Sequence, residues 1–547
     1  MSGIPGLLLE RARAEPDAVA LRSKRRGIWQ ATTWSGLLDR VCRVAAGLED
    51  LGVRAGTAVG LVGENTPEWI VADLAVQALG ARSVALPPQT PAPAVVRALA
   101  ESGAGVVVCG DQEQVDLVVD AGGELAHIAI VVVNPTGTSH YDDPRVRALA
   151  DVESVAPLDA AQLIERRAAG ELTATLFSAG ATGDPRPVDL TAGALVETAR
   201  LAAAWLELGP RDRSLCVLSL AVPPARVLDL YAPIAGGAQI AVPESPATTA
   251  ADLLEASPTV LFLSPRALEL LRLGSERRAR ESSPMRRRIY RWGIGRLERR
   301  GRGGVAHLVV GRWVVAKLGL ARARRVVVTG GPVATRDLRF FWSLGVPALA
   351  TYGQAEVAGL ALAQASLDDA GTAGRPLPGV SARLLDDGTL AVRAPATGGE
   401  WHATGDLAEE APGGAIRVLG RPEEVVEAAL CESAYIRRAV VAEGAALIEM
   451  DPDAMALWAA DRLLAFSTYG SLVALPEVRE LAAAEVAAVN ERFGGGPAVA
   501  RFTVLPRELD VARGELTALL TVRRGPVLDH FAAELGGPEA EPVPSAP

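Results

Sequence analysis

Thr175-Leu-Phe-Ser-Ala-Gly-Ala-Thr-Gly-Asp-Pro-Arg-Pro-Val-Asp-Leu-Thr191 is the stretch on which the reading of this chain turns. Thr173 to Ser178 alternate and carry β-branched and aromatic residues, which predicts a strand. From Thr191 onward Leu195, Val196, Ala199, Ala202, Ala203 and Leu206 recur at helical spacing, with Thr191 placed to cap. Between them lies a loop of hydroxyls and glycines, Ser178, Gly180, Thr182 and Gly183, closed by Pro185. Glycines let the backbone approach a ligand, and successive amides can form an anion-binding concavity. Arg186 adds a fixed positive charge. Two readings stand at this point, an ordinary strand-to-helix turn or a phosphate cradle. The spacing matches neither a Walker loop nor a dinucleotide fingerprint.

Working outward, 547 residues predict two or more domains. Upstream, helical patterns at Trp34 to Leu51 and Pro67 to Leu79 alternate with strand patterns at Ala58 to Val62, Arg82 to Leu86, Val106 to Cys109 and Ile128 to Val133. Such alternation predicts a parallel α/β sheet. Downstream, Arg213 to Leu220 and Gly414 to Leu419 read as further strands. With 49% hydrophobic and 22% charged residues the chain is globular. Cys42, Cys109, Cys216 and Cys431 are far apart and the five histidines are scattered, which argues against a disulfide framework and a transition-metal site. The opening residues show no basic region followed by a long apolar core, and no apolar run approaches the roughly 20 residues of a spanning helix. A reduced, cytoplasmic protein is the expectation.

Two compositional features stand out. Of 55 basic residues only Lys24 and Lys317 are lysines. Residues 277–325 hold 16 basic residues against Glu281 and Glu298, a local +14 in a chain of −10. Their arginines are interleaved with Ile289, Tyr290, Trp292, Ile294, Leu297, Val314, Val315 and Leu318. A basic amphipathic helix of this kind suits an anionic membrane surface, and peripheral attachment there is one expectation. A solvated insertion paired with acids elsewhere is the other. Nothing else in the sequence supports nucleic acid as a partner.

Taken with its neighbours, the glycine-hydroxyl loop resembles the phosphate loop of the adenylate-forming (AMP-binding) enzymes, in their long-chain fatty acyl-CoA synthetase branch. It keeps Ser178, Gly180, Thr182, Gly183 and Pro185, and departs at Ala179, Ala181, Arg186 (for lysine) and Pro187 (for glycine). The resemblance continues in Gly63-Glu-Asn-Thr-Pro-Glu-Trp69, in Leu220-Ala-Val-Pro-Pro-Ala-Arg226 with Val222 where the family has histidine, and in Val326-Val-Val-Thr-Gly-Gly-Pro332. It extends through Ala350-Thr-Tyr-Gly-Gln-Ala-Glu356, Gly371-Thr-Ala-Gly-Arg-Pro-Leu-Pro-Gly379, Trp401-His-Ala-Thr-Gly-Asp406, Gly420-Arg-Pro-Glu-Glu424 and Gly514-Glu-Leu-Thr-Ala-Leu-Leu-Thr521.

That resemblance implies a large N-terminal α/β region over 1–420, carrying the basic insertion 277–325, and a small C-terminal α+β domain over 421–547. It implies ATP-dependent activation of a fatty acid through an acyl-adenylate, then transfer to coenzyme A, with magnesium as cofactor. By the same resemblance Ser178, Gly180, Thr182, Gly183 and Arg186 face the phosphates, and Glu356, with Thr182, faces the magnesium. Gly330, Gly331, Pro332, Tyr352 and Gly353 hold the adenine, Asp406 and Arg421 the ribose, and Glu424 is the hinge acid. Two departures fall on chemistry. Thr521 stands where the family has its catalytic lysine, and Val425 to Leu430 runs almost directly into Cys431, without the glycine-rich loop that lines the pantetheine route. An impaired homologue that binds nucleotide or acyl ligand without efficient turnover is therefore the alternative reading.

Overall fold

The structure is a computed structural model that describes residues 3–165, 172–177, 186–301, 304–493, 498–510, 513–516, 522–536 and 541–542. The phosphate-loop residues Ser178, Gly180, Thr182 and Gly183, and Thr521, lie outside the described residues.

The α/β alternation read upstream builds a seven-stranded sheet. Its order is Val146–Ala148, Ala129–Val132, Ala104–Cys109, Ala58–Val62, Arg82–Leu86, Leu172–Phe177 and Pro187–Thr191, parallel in every pairing but the last. That last pairing corrects the expectation of a strand-to-helix turn. Pro187–Thr191 folds back antiparallel on Leu172–Phe177, so residues 178–186 connect a hairpin. The reason lies in side chains: Thr175 donates to the Asp189 carboxylate at 2.5 Å and Arg82 donates to the same oxygen at 3.1 Å. Thr191 still caps the helix Ala192–Trp205, its hydroxyl accepting the Ala194 amide at 3.2 Å.

A second correction concerns Arg213 to Leu220, where the strand ends at Leu215. The carboxamide of Asn65 takes over, donating to the Leu218 carbonyl at 2.7 Å and accepting the Leu220 amide at 2.9 Å, which draws the chain off the ladder. Beneath this crossing Arg226 is fully buried, stacked 4.9 Å from the Trp69 ring, and donates to the Leu220 carbonyl at 3.0 Å. Asp73 lies 3.7 Å from its guanidinium and accepts from Tyr231 and Gln77. Burial pushes the Tyr231 phenol well above its ordinary range.

A five-stranded sheet follows in the order Val260–Leu263, Arg325–Val328, Ala348–Tyr352, Leu362–Ala363 and Arg375–Pro376. The first three strands are parallel, so they deliver their C-terminal ends to one edge. A four-stranded antiparallel sheet, Ser381–Leu384, Thr389–Arg393, His402–Ala411 and Ala415–Gly420, stands next in the chain. One hydrophobic cluster runs from Ile4 to Ile416, whereas the residues from Val426 to Phe531 bury their apolar side chains among themselves. The chain thus has a large N-terminal and a small C-terminal part, as the family resemblance implies.

The basic segment forms the end of Pro265–Arg280, the helix Pro284–Arg300 and the run 304–317. Tyr290, Leu297, Val314 and Leu318 turn into the core, and they leave the outward face to other residues. Among the described residues no helix is long and apolar enough to cross a membrane.

Candidate nucleotide-binding site

Strand pairing assembles the first half of the site. Val328 is in register with Ala350, so Gly330-Gly331-Pro332 and Tyr352 to Glu356 emerge side by side at the C-terminal edge of a parallel sheet, where α/β folds present ligands. Gly330 takes a positive φ of 88° and, with Gly331 and Pro332, lies open to solvent. Gly353 has a packing task besides the ligand contact expected of it. A Cβ there would sit 2.4 Å from the Gly359 carbonyl carbon, so its smallness lets two backbone segments touch.

A bulge supplies the second half. Thr389 pairs with Leu407 but Ala391 with Ala403, so extra residues of His402–Ala411 bow out of the ladder. Gly405 sits in that bow at φ 74°, and a Cβ on it would lie 2.3 Å from the Arg421 guanidinium. Thr404 holds the bow in place, donating to the Leu390 carbonyl at 2.8 Å and accepting the Asp406 amide at 3.1 Å. The result aims the Asp406 carboxylate at the end of the neighbouring sheet.

Four side chains meet there. Tyr352 donates to Asp406 Oδ2 at 2.5 Å, Gln354 donates to the same oxygen at 2.8 Å, and Arg421 Nε lies 2.8 Å from Oδ1. Gln354 also donates to the Thr404 carbonyl at 3.0 Å and lies 3.3 Å from His402 Nε2. Burial, reinforced by the Asp406 charge, pushes the Tyr352 phenol well above its ordinary range, so it is a donor at any physiological pH. Arg421 remains 38% exposed and can meet a ligand while it holds Asp406. Glu424 accepts the Arg421 amide at 3.3 Å, just beyond Gly420 at φ 110°.

Glu356 is half-buried in a short turn, and among the described residues no side chain hydrogen-bonds to it. A carboxylate left with open lone pairs is the kind of ligand that a hard, oxygen-seeking cation takes. Arg186 is exposed at the exit of the hairpin loop. The structure therefore brings Tyr352, Asp406 and Arg421 into contact, with Glu356 half-buried and Arg186 exposed outside that group. Gln354, His402 and Gly405 were not singled out from the sequence. Gln354 and His402 occupy positions that the Tyr-Gly-x-x-Glu and Trp-x-x-Thr-Gly-Asp patterns leave open, and there the chain's own choice sets the local hydrogen bonding.

In the C-terminal part, Glu515 of the closing segment is fully buried and gripped by Arg507 at 2.5 and 2.8 Å, with His530 Nδ1 at 2.9 Å. The hydrogen bonds from Arg507, aided by His530, pull its carboxyl down to about 2. Leu516 bridges to Val522, so this clamp closes the two ends of the segment that contains Thr521.

Solved structures share this architecture. A Mycobacterium tuberculosis fatty acyl CoA synthetase superposes with a TM-score of 0.66 at 16% identity, covering 98% of this chain and 99% of that one. A benzoate CoA ligase from Burkholderia xenovorans LB400 gives 0.63 at 19%, covering 96% and 99%. In sequence, the chain is 27% identical over 586 aligned positions to the long-chain-fatty-acid–CoA ligase FadD15 of Mycobacterium bovis, across 97% of this chain and 96% of the relative. The family described as AMP-binding enzyme matches residues 8–408, most of the chain and three of the four corner side chains, Tyr352, Gln354 and Asp406, so the chain belongs to that family.

Proposed function

We propose that this protein is a long-chain fatty acid–CoA ligase. A fatty carboxylate oxygen attacks the α-phosphorus of ATP and releases pyrophosphate; the coenzyme A thiol then attacks the acyl carbonyl and releases AMP. The observation that carries this reading is the contact of Tyr352, Asp406 and Arg421 on an AMP-binding fold: an aromatic face for a base, and an acceptor-only carboxylate for paired hydroxyls. In this reading Gly330, Gly331 and Pro332 wall the adenine, and Ser178, Gly180, Thr182, Gly183 and Arg186 face the phosphates. Glu356, with Thr182, holds magnesium, which when bound neutralises phosphate charge. The swivel of a mobile domain over 421–547 at Gly420 and Glu424 belongs to the same proposal.

The second reading, a homologue with impaired turnover, is favoured by one observation. Of the chain's two lysines one is already engaged, and the other belongs to the basic segment. Lys24 Nζ is held at 2.8 Å by both Asp252 and Glu255, and Lys317 lines a cleft in the basic segment. Arg513 and Arg523, which flank the closing segment, are the cations nearest to it in sequence.

ATP–pyrophosphate exchange with a panel of fatty acids separates the two. Exchange at ordinary enzyme rates of roughly 1 s⁻¹ or more, together with acyl-CoA formation at a like rate once coenzyme A is added, establishes the ligase and makes Arg513 and Arg523 the residues to substitute next. Exchange that rises at least about tenfold in Thr521→Lys, while acyl-CoA output scarcely moves, identifies the impaired form, because a cation then returns beside the developing charge while the pantetheine loop is still missing. Absence of exchange in both proteins removes the ligase reading.

A further inference from the structure

The basic segment carries two exposed apolar stripes on helices that cross in contact. On Pro284–Arg300, Met285, Ile289 and Trp292 face outward at successive turns, Met285 74% and Trp292 47% exposed. Arg288, Arg296 and Arg299 flank and continue that stripe at three- and four-residue spacing. In 304–317, Val305, Leu308, Val309 and Trp313 are likewise exposed, Val305 at 64% and Leu308 at 62%. The opposite faces, with Tyr290, Leu297, Val310 and Val314, are buried in a common core. Gly293 permits the crossing, since a Cβ there would lie 2.4 Å from a Val310 methyl. The stripes are thus fixed on the outside of a packed pair. Between them opens a cleft of about 770 Å³ whose lining includes Arg278, Arg286, Lys317, Ile289, Val309 and Trp313.

The expectation that this charge is paired with acids elsewhere is met only at its ends, where Arg324 binds Asp212 and Arg277 and Arg280 reach Glu281 and Glu276. Among the described residues Arg286, Arg288, Arg291, Arg296, Arg299 and Arg312 are exposed and form no ion pair. We propose that this helix pair is a docking surface for an anionic lipid bilayer, with phosphate headgroups entering the cleft between Arg286 and Lys317. Three features fit a bilayer together. Guanidiniums match phosphate geometry, tryptophans favour the membrane interface, and an exposed aliphatic stripe is stabilised when it sinks to the headgroup boundary. A polynucleotide satisfies the first feature and leaves the aliphatic stripe in water. Because the whole chain is −10 while this segment is +14, an anionic surface attracts this face and repels the remainder, which sets the orientation of docking.

The test sediments the full chain with vesicles of phosphatidylcholine alone or mixed with phosphatidylglycerol, over a range of salt. Partition should favour the anionic vesicles by at least about tenfold at low salt and weaken as salt rises. Arg288→Gln/Arg296→Gln/Arg299→Gln should reduce it about 100-fold, near fivefold for each neutralised charge. Trp292→Ser/Trp313→Ser should keep most of the low-salt binding and lose the part that survives high salt, along with any blue shift of tryptophan emission on vesicles. Equal recovery with both vesicle types overturns the proposal. So does a triple arginine variant that binds like the parent, or duplex DNA that is bound while anionic vesicles are not. None of these residues belongs to the nucleotide corner, so the outcome is independent of turnover.

Discussion

The Tyr352–Asp406 corner and the closing segment each rest on an arginine–carboxylate pair, and the two pairs are built for opposite ends. Arg421 holds Asp406 with its guanidinium still 38% exposed, and Tyr352 and Gln354 converge on the other oxygen from a second sheet. Arg507 grips Glu515 with both nitrogens, and the Asp510 amide and His530 close the remaining sides of a carboxylate that no solvent reaches. The first pair joins elements and stays at a rim, where a ligand can exchange for its partners. The second seals a turn. Chemically similar contacts therefore divide into an accessible corner, the proposed binding site, and a sealed clamp according to what surrounds them.

The largest effect that would sharpen this contrast is at the clamp. Folding draws the Glu515 carboxyl from the usual glutamate range near 4.3 down to about 2. Its contribution is complete above about pH 4.3 and is lost as the pH falls toward 2, a difference of about 3 kcal/mol. Glu515→Gln should thus destabilise the C-terminal part by about 2–3 kcal/mol at neutral pH and flatten its acid limb. Hydrogen exchange by mass spectrometry over residues 505–531 reads this directly. AMP affinity should remain at the parent value, and a loss of affinity matching that of the corner variants would erase the distinction.

Asp406→Ala is the crossed experiment. It should weaken AMP or ATP binding by ~1.5–3 kcal/mol in titration calorimetry, as loss of a charged hydrogen-bond partner does. Hydrogen exchange over 505–531 should be unchanged, because the two carboxylates share no partner among the described residues.

These assignments also show what the sequence discloses. Gly63-Glu-Asn-Thr-Pro-Glu-Trp69 is legible as a family word, yet its residues do structural work: Asn65 ties down Leu218 and Leu220, Thr66 caps a helix, and Trp69 lies under Arg226. Asp406 is legible as well, but the bulge that aims it is not, since it arises from a mismatch between two strands, not from either alone. Strand periodicity failed at Pro187–Thr191 because the Asp189 contacts that fold it back come from Thr175 and from Arg82, about a hundred residues away. In the basic segment, composition gave the charge correctly. Which of its apolar residues face water was decided by the crossing at Gly293, a tertiary contact.

The smallest effect is expected at Tyr352, and it separates the two roles of that side chain. Its ring is the surface proposed for adenine, and its hydroxyl is one of the groups converging on Asp406. Tyr352→Phe keeps the ring and removes one donor, while Gln354 and Arg421 continue to hold the carboxylate. Nucleotide affinity should then fall by about 0.5–1.5 kcal/mol, the net worth of one hydrogen bond. Tyr352→Ala removes the stack too and should approach the loss seen in Asp406→Ala. If Phe and Ala weaken AMP equally, the hydroxyl alone matters and the adenine lies elsewhere. If Phe binds like the parent, Gln354 and Arg421 suffice to orient Asp406, and the corner is tied together by two contacts instead of three.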